Sequence, residues 1–416
     1  MPFFTLIFIA ALFATIATRL WLAQRHLRHI RSHRDAVPHD FAEHIGLESH
    51  QKAADYSSAK TRLDVIQILL DTTLLLAFTL GGGIQLLADF WQGILGSGLW
   101  RGVALIASIL VISSLFELPL NLYRTFVIDA RFGFNKMTIG LFIADLLKQT
   151  LIGAALGMPL LLGVLWLMEQ MGSHWWLYVW FAWMSFNLLI LLLYPTVIAP
   201  LFNKFTPLQD QTLAARIETL LQKCGFKSQG LFIMDGSRRT SHGNAYFSGL
   251  GASKRIVFFD TLLSRLNHDE IEAVLAHELG HFKRRHVIKR IAAMFALSLA
   301  GLWLLGWLMP QGWFYQGLGV TTQSTATALL LFLLVSPAFT FLLHPLSSLV
   351  SRKHEFEADR YAAENASAEH LIHALVKLYN DNAATLTPDP LHSLFYDSHP
   401  AAGQRVAHLR ALMKQI

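Results

Sequence analysis

Seven long apolar stretches, near 3–23, 65–88, 99–121, 146–168, 175–197, 288–309 and 326–348, constrain this chain more than anything else in it. A bilayer core about 30 Å thick is crossed by roughly 20 helical residues, and inside it every backbone N–H and C=O must be satisfied within the chain. Stretches of this length therefore become membrane helices. Only 15% of the residues are charged and 53% are hydrophobic, so most of the chain belongs in lipid. The fourth stretch is the least clean, with Asp145 and Lys148 at its entrance.

The first stretch lacks a positively charged leader and is longer than the apolar part of a signal peptide, so it reads as an uncleaved span. Arg25, Arg28, Arg31 and Arg34 follow it, then Lys52, Lys60 and Arg62, which places this loop in the cytoplasm and the N-terminus outside. Arg124, Arg131 and Lys136 lie between the third and fourth spans, whereas 89–98, 169–174 and 310–324 contain no Lys or Arg. Seven crossings satisfy that alternation. The expected division is 1–197, five membrane helices with cytoplasmic loops; 198–287, a cytoplasmic catalytic region; 288–348, a membrane hairpin; and 349–416, a cytoplasmic C-terminal region, all forming one unit.

The formal charge of +6 sits beside the apolar spans and is not interleaved with exposed aromatics. That pattern points to anionic lipid as the partner and away from nucleic acid. A single cysteine, Cys224, excludes an internal disulfide and any multi-cysteine metal site, so a metal here must use His and carboxylate ligands. Asp71, Glu117, Asp145, Lys148 and Asn187 interrupt the spans. Such groups either pair between helices or line a polar cavity.

The segment Ala276-His277-Glu278-Leu279-Gly280-His281 carries the chemistry. Two histidines four apart project from one helix face, and the glutamate beside the first points toward a metal-bound water. Asn267, with Glu270 three residues on, marks the helix start. Gly280 weakens the helix by about 1 kcal/mol and is expected to allow close packing. A third ligand is sought in Ser351-Arg352-Lys353-His354-Glu355-Phe356-Glu357-Ala358-Asp359, where Glu355 and Asp359 share a face; one can bind zinc while the other orients a ligand histidine. Two crossings separate this segment from His281 and return it to the same side. Glu357 is expected at the surface, pointing away from the metal, and His286 and His354 at the interface or in support of the ligands.

These residues resemble the multi-span zinc metallopeptidases that include the type I CAAX prenyl proteases. The likeness runs through Glu117-Leu118-Pro119, Phe132-Gly133-Phe134-Asn135-Lys136, the run 200–208, Asp235-Gly236-Ser237, Asn244-Ala245-Tyr246-Phe247, the histidine motif, Glu355-Phe356-Glu357-Ala358-Asp359 and Ser398-His399-Pro400, in order. It implies a mainly α fold, with about seven membrane helices enclosing a water-filled chamber, and a small α/β, gluzincin-like catalytic region on the cytoplasmic side. It further implies one Zn2+ held by His277, His281 and Glu355, with Glu278 as catalytic base and Asp359 as the partner of a ligand histidine. His399 and Arg405 resemble the family residues that approach the substrate and its oxyanion.

Residues 230–235 and 255–260 read as strands of a small sheet beside the motif helix. An extended peptide can add to the edge of such a sheet, and the resemblance places Asn244 and Ala245 along that groove. A hairpin that merely caps the site is the plainer alternative.

The expected function is a membrane zinc endopeptidase acting on C-terminal or membrane-associated peptides, lipidated ones included. A membrane-protein quality-control peptidase and a non-catalytic chamber or transporter with structural zinc are the rivals. The Trp-rich chain, ending at Ile416 without an ER-retrieval signal, points to a bacterial inner membrane, with the endoplasmic reticulum as the alternative.

Overall fold

The computed structural model describes residues 2–248 and 254–415. The glycine-containing run that follows Phe247 in the sequence lies outside the described residues in large part. Among the described residues, six helical spans are long and apolar enough to cross a membrane: Phe3–Ser32, Leu99–Asp129, Ile139–Gln170, Gly172–Phe202, His286–Leu308 and Thr325–Asn365. The second expected span is a bent pair, Leu47–Phe78 and Gly83–Leu95, turned by 51°; counted as one, it makes the seventh. The bend sits on Gly81-Gly82-Gly83. Gly82 has φ +79°, and a Cβ on Gly81 would meet the Ala77 carbonyl oxygen at 2.7 Å, so side chains are excluded where the chain folds back.

The helices pack most tightly near one end of the spans. Phe8, Ile84, Val103, Leu165, Leu305, Tyr315 and Leu330 form one buried core there. In contrast, only 6% of the apolar window of Gly172–Phe202 is buried, and 11% of that of His286–Leu308. Most of the surface of these two helices is turned away from the rest of the chain, as that of lipid-facing helices is. A cavity of about 590 Å³ is lined by Arg19, Asp71, Glu117, Phe341, Phe395 and Tyr396 among others.

Of the polar intramembrane residues, two line a cavity as one expectation had it, and the others find partners of several kinds. Asp71 and Glu117 face the cavity, Asp71 accepting from Gln67 Nε2 at 2.6 Å. Asp145 is instead clamped by Arg239, which donates to its two oxygens at 2.8 and 3.0 Å. Lys148 donates to the Leu201 carbonyl at 2.8 Å, and Asn187 to Trp183 in its own helix at 2.7 Å.

The extramembrane body is built, among the described residues, around a four-stranded sheet, β1 (Phe205–Pro207), β2 (Ser228–Met234), β3 (Ala245–Ser248) and β4 (Lys254–Phe259), in the order β1-β2-β4-β3. β2 and β4 run parallel and the outer strands are antiparallel to them. β2 and β4 are the two expected strands; β1, three residues long, carries too little pattern to read. Ile256 and Phe258 of β4 pack with Ile217, Ile271, Leu279, Leu371, Leu375, Val406 and Leu409. Segments from before and after the membrane hairpin thus share one core, which fixes their mutual position.

Candidate active site

Helix His268–Lys283 carries the motif. Its start is a full capping box: Asn267 Oδ1 accepts from Glu270 N and Glu270 Oε2 accepts from Asn267 N, both at 2.9 Å. It lies against helix His344–Asn365, which continues the last membrane span through a tight turn at Phe341–Leu343. Gly280 makes the contact possible. A Cβ there would lie 2.9 Å from Ala358 Cα and 3.0 Å from Tyr361 Cβ, so any side chain would push the two helices apart.

That approach brings the three expected ligands together. His277, His281 and Glu355 place one donor atom each within 4.8 Å of one another. The separations are 3.3 Å between the two Nε2 atoms, 3.5 Å from His277 Nε2 to Glu355 Oε2, and 3.4 Å from His281 Nε2 to Glu355 Oε1. Tetrahedral ligand bonds of about 2.0–2.1 Å put donor atoms about 3.3 Å apart, so the triangle fits a zinc-sized ion. Glu355 Oε2 is buried without a hydrogen-bond partner, a costly state for a carboxylate oxygen unless a cation serves it. Burial disfavours a charged His277 ring, but the carboxylates of Asp359 and Glu355 beside it outweigh that and push its pKa up to about 9, so a bound metal must displace this proton.

Of the two carboxylates the sequence left open, Glu355 faces both histidine Nε2 atoms, and Asp359 sits behind, 2.9 Å from His277 Nδ1. Asp359 is fully buried and held by Arg405, which donates from Nε at 3.0 Å and from Nη2. Arg405 is itself buried, with Nη1 3.7 Å from Glu355 Oε2. His399 is open by comparison, its side chain 60% exposed and its Nε2 3.5 Å from Glu355 Oε1. Glu278 is half-buried, and no hydrogen bond or ion pair engages its carboxylate among the described residues.

Glu357 lies outside the ligand triangle and is partly exposed, as expected, yet it is engaged. Its Oε2 lies 2.9 Å from His286 Nε2, and His286 Nδ1 lies 3.0 Å from His281 Nδ1. His286 is buried and stacked on His354 at 3.9 Å between ring centres. The sequence reading placed His286 at the interface or in support of the ligands but did not link it to Glu357, because the turn at Arg284 and Arg285 folds His286 back onto the motif helix. Arg285 has φ +56°, a left-handed geometry that sequence spacing does not reveal.

Asn244 and Ala245 begin the edge strand β3, which pairs only with β4 among the described residues. The Asn244 carbonyl accepts from Phe259 N, and its side-chain oxygen from Ala245 N, each at 2.9 Å. Phe247 packs on Phe282, next to His281, at 5.1 Å, so the strand borders the metal-site helix. Arg239 was not singled out from sequence. It ties this region to the membrane through Asp145 and Asn203, while Lys136 N donates to its carbonyl at 3.1 Å. An unexplained Asp at a span entrance was the one signal that a partner existed.

A set of membrane-length helices with a cavity among them and a histidine-glutamate cluster carrying an unengaged glutamate define an integral-membrane metallopeptidase. Comparison with known proteins supports that class along the whole chain. Residues 26–204 match the family model described as CAAX prenyl protease N-terminal, five membrane helices, and residues 207–413 match peptidase family M48. The chain is 35% identical over 380 residues to the CAAX prenyl protease 1 homolog of Arabidopsis thaliana, covering 87% of each chain. It is 31% identical to the Homo sapiens homolog, covering 100% of this chain and 97% of that one. The crystal structure of S. mikatae Ste24p superposes with a TM-score of 0.92 at 30% identity, covering 98% of this chain and 99% of that one. The chain belongs to the M48 peptidases, among the CAAX prenyl proteases. It is a multi-pass membrane metalloprotease with a peptide or protein substrate.

Proposed function

We propose that the protein is a zinc endopeptidase that cleaves prenylated or otherwise membrane-associated peptides near their C-terminus. The observation that carries this reading is the triangle of His277, His281 and Glu355, with Glu278 unengaged beside it. A structural zinc is closed by four protein ligands, whereas three ligands leave a direction open for chemistry. When bound, zinc lowers the pKa of water toward about 7 and polarises a carbonyl.

The residues of the chain then divide the work. Glu278 accepts the proton of the attacking water and returns one to the leaving amine. His399, exposed beside Glu355, donates an N–H to the developing oxyanion. Arg405 acts through Asp359, which holds the His277 ring; its guanidinium is already engaged and buried, which favours positioning over direct contact with substrate. The free edge of β3 receives an extended peptide by main-chain hydrogen bonds, with Asn244 and Ala245 along the groove.

Lipid preference follows from the chamber: its cavity wall includes Phe395 and Tyr396, the end of the helix Pro390–Tyr396 that leads to His399. The four sequence segments act as one unit, since both cytoplasmic segments share a core. The site faces the cytoplasm of a bacterial cell membrane, with the endoplasmic reticulum as the alternative raised by the eukaryotic relatives. Partners are the bilayer and the peptide, not nucleic acid. The test compares cleavage of one peptide with and without a farnesyl group by the purified protein. Preference for the farnesylated form supports prenyl processing; equal cleavage of both would turn the reading to general membrane-peptide quality control.

A further inference from the structure

The two histidines of the metal triangle are supported unequally, and the support of the second is a feature of its own. His277 is held directly by a buried carboxylate, Asp359. Among the described residues no carboxylate holds His281 Nδ1; it instead meets another imidazole, His286, whose far nitrogen reaches Glu357. We propose that His286 and Glu357 form a carboxylate-imidazole relay that positions His281, so that Glu357 acts on the metal ligand from the protein surface through an intervening ring.

Hydrogen-bond accounting leaves one proton arrangement. A neutral imidazole carries one N–H and one lone pair. His281 offers its Nε2 lone pair to the triangle, so its Nδ1 carries the hydrogen. His286 Nδ1, 3.0 Å away, must then accept, which places the His286 hydrogen on Nε2. That N–H faces Glu357 Oε2 at 2.9 Å, an acceptor by nature. The other His286 tautomer would set two N–H groups against each other and leave the carboxylate facing a lone pair. Glu357 therefore selects the tautomer of His286, and His286 that of His281.

The rings are held as well as paired. His286 is 4% exposed and stacks on His354 with planes 12° apart, so it cannot swing without losing both hydrogen bonds and the stack. Glu357 remains 32% exposed at its side chain. The outer end of the relay thus opens to solvent, whereas the Asp359 support of His277 is sealed. Partners of ligand histidines fix ring orientation and raise ligand basicity, and losing them typically costs 10–100-fold in metal affinity.

The inference rests on the metal reading of His277, His281 and Glu355, and its test separates the two. Zinc affinity of the purified full-length protein is measured by competition with a chromophoric chelator, alongside thermal melting of the metal-free protein and the visible spectrum of the Co2+-loaded protein. His286→Phe keeps the stack and removes the acceptor; Glu357→Leu removes the carboxylate at a half-exposed position where folding is not in question; Glu357→Gln keeps an acceptor without charge. The expected result is a 10–100-fold loss of zinc affinity in His286→Phe and Glu357→Leu, a smaller loss in Glu357→Gln, altered Co2+ bands, and metal-free melting as in wild type. Glu364→Gln, on an exposed part of the same helix, is expected to change nothing. If His286→Phe fails to fold, the Glu357 variants decide. Zinc affinity within twofold of wild type in Glu357→Leu would overturn the relay, whereas wild type that binds no zinc would overturn the metal site itself.

Discussion

At the scale of single residues, the site is a set of charges arranged for a cation. His277 shows the consequence for pH. Its folded value of about 9 lies above the ordinary value of about 6.5, so the protonated ring stabilises the metal-free fold below pH 6.5. That contribution is lost as pH rises through about 9. Zinc must displace the same proton, so its apparent affinity is expected to rise with pH up to about 9 and then level off, a profile that chelator competition measures. Asp359→Asn removes the charge behind His277 while leaving Arg405 buried beside Glu355. Zinc affinity is expected to fall by about 10–100-fold; unchanged affinity would mean that Arg405 and Glu355 alone order the ring.

The same residues show what sequence makes legible. His277, Glu278 and His281 declare themselves by helical spacing, and the even number of crossings brings Glu355 back to their side. Only the approach of two helices decides between Glu355 and Asp359. The link from His281 to Glu357 depends on a left-handed residue at Arg285, and no periodicity encodes it.

At the scale of elements, two contacts position the site. Gly280 sets the distance between the motif helix and the helix bearing Glu355. Gly280→Ala inserts a methyl 2.9 Å from Ala358 Cα, and the overpacking is expected to cost about 1–3 kcal/mol and to weaken zinc binding, read by thermal melting and chelator competition. The Asp145–Arg239 pair joins a membrane helix to the segment leading into β3. Arg239→Gln leaves a buried carboxylate unpaired, at a cost of about 3–5 kcal/mol; Asp145→Asn combined with Arg239→Gln is expected to recover much of it, because the double variant buries no lone charge. The membrane helices were readable from composition because lipid admits little else. The bend at Gly81-Gly82-Gly83, the short β1 and the Arg239 clamp were not, since each depends on what the chain meets in three dimensions.

At the scale of the molecule, the membrane helices and the extramembrane body are separately cored, one near one end of the spans and one around β4. Neither core needs the metal. Removing zinc with a chelator is therefore expected to abolish cleavage while leaving helical content unchanged, and restoring zinc to recover activity. Loss of helical structure on chelation would show the metal to be a folding element.

The most direct test of the whole account is a paired measurement on purified wild type and Glu278→Gln, reading zinc content and cleavage of a quenched membrane-associated peptide from the same samples. The account predicts one zinc per chain in both, cleavage by wild type, and a loss of at least about 100-fold in the variant, the lower bound for removing a positioned general base. Cleavage by Glu278→Gln at the wild-type rate, or wild type that cleaves without bound metal, would contradict it.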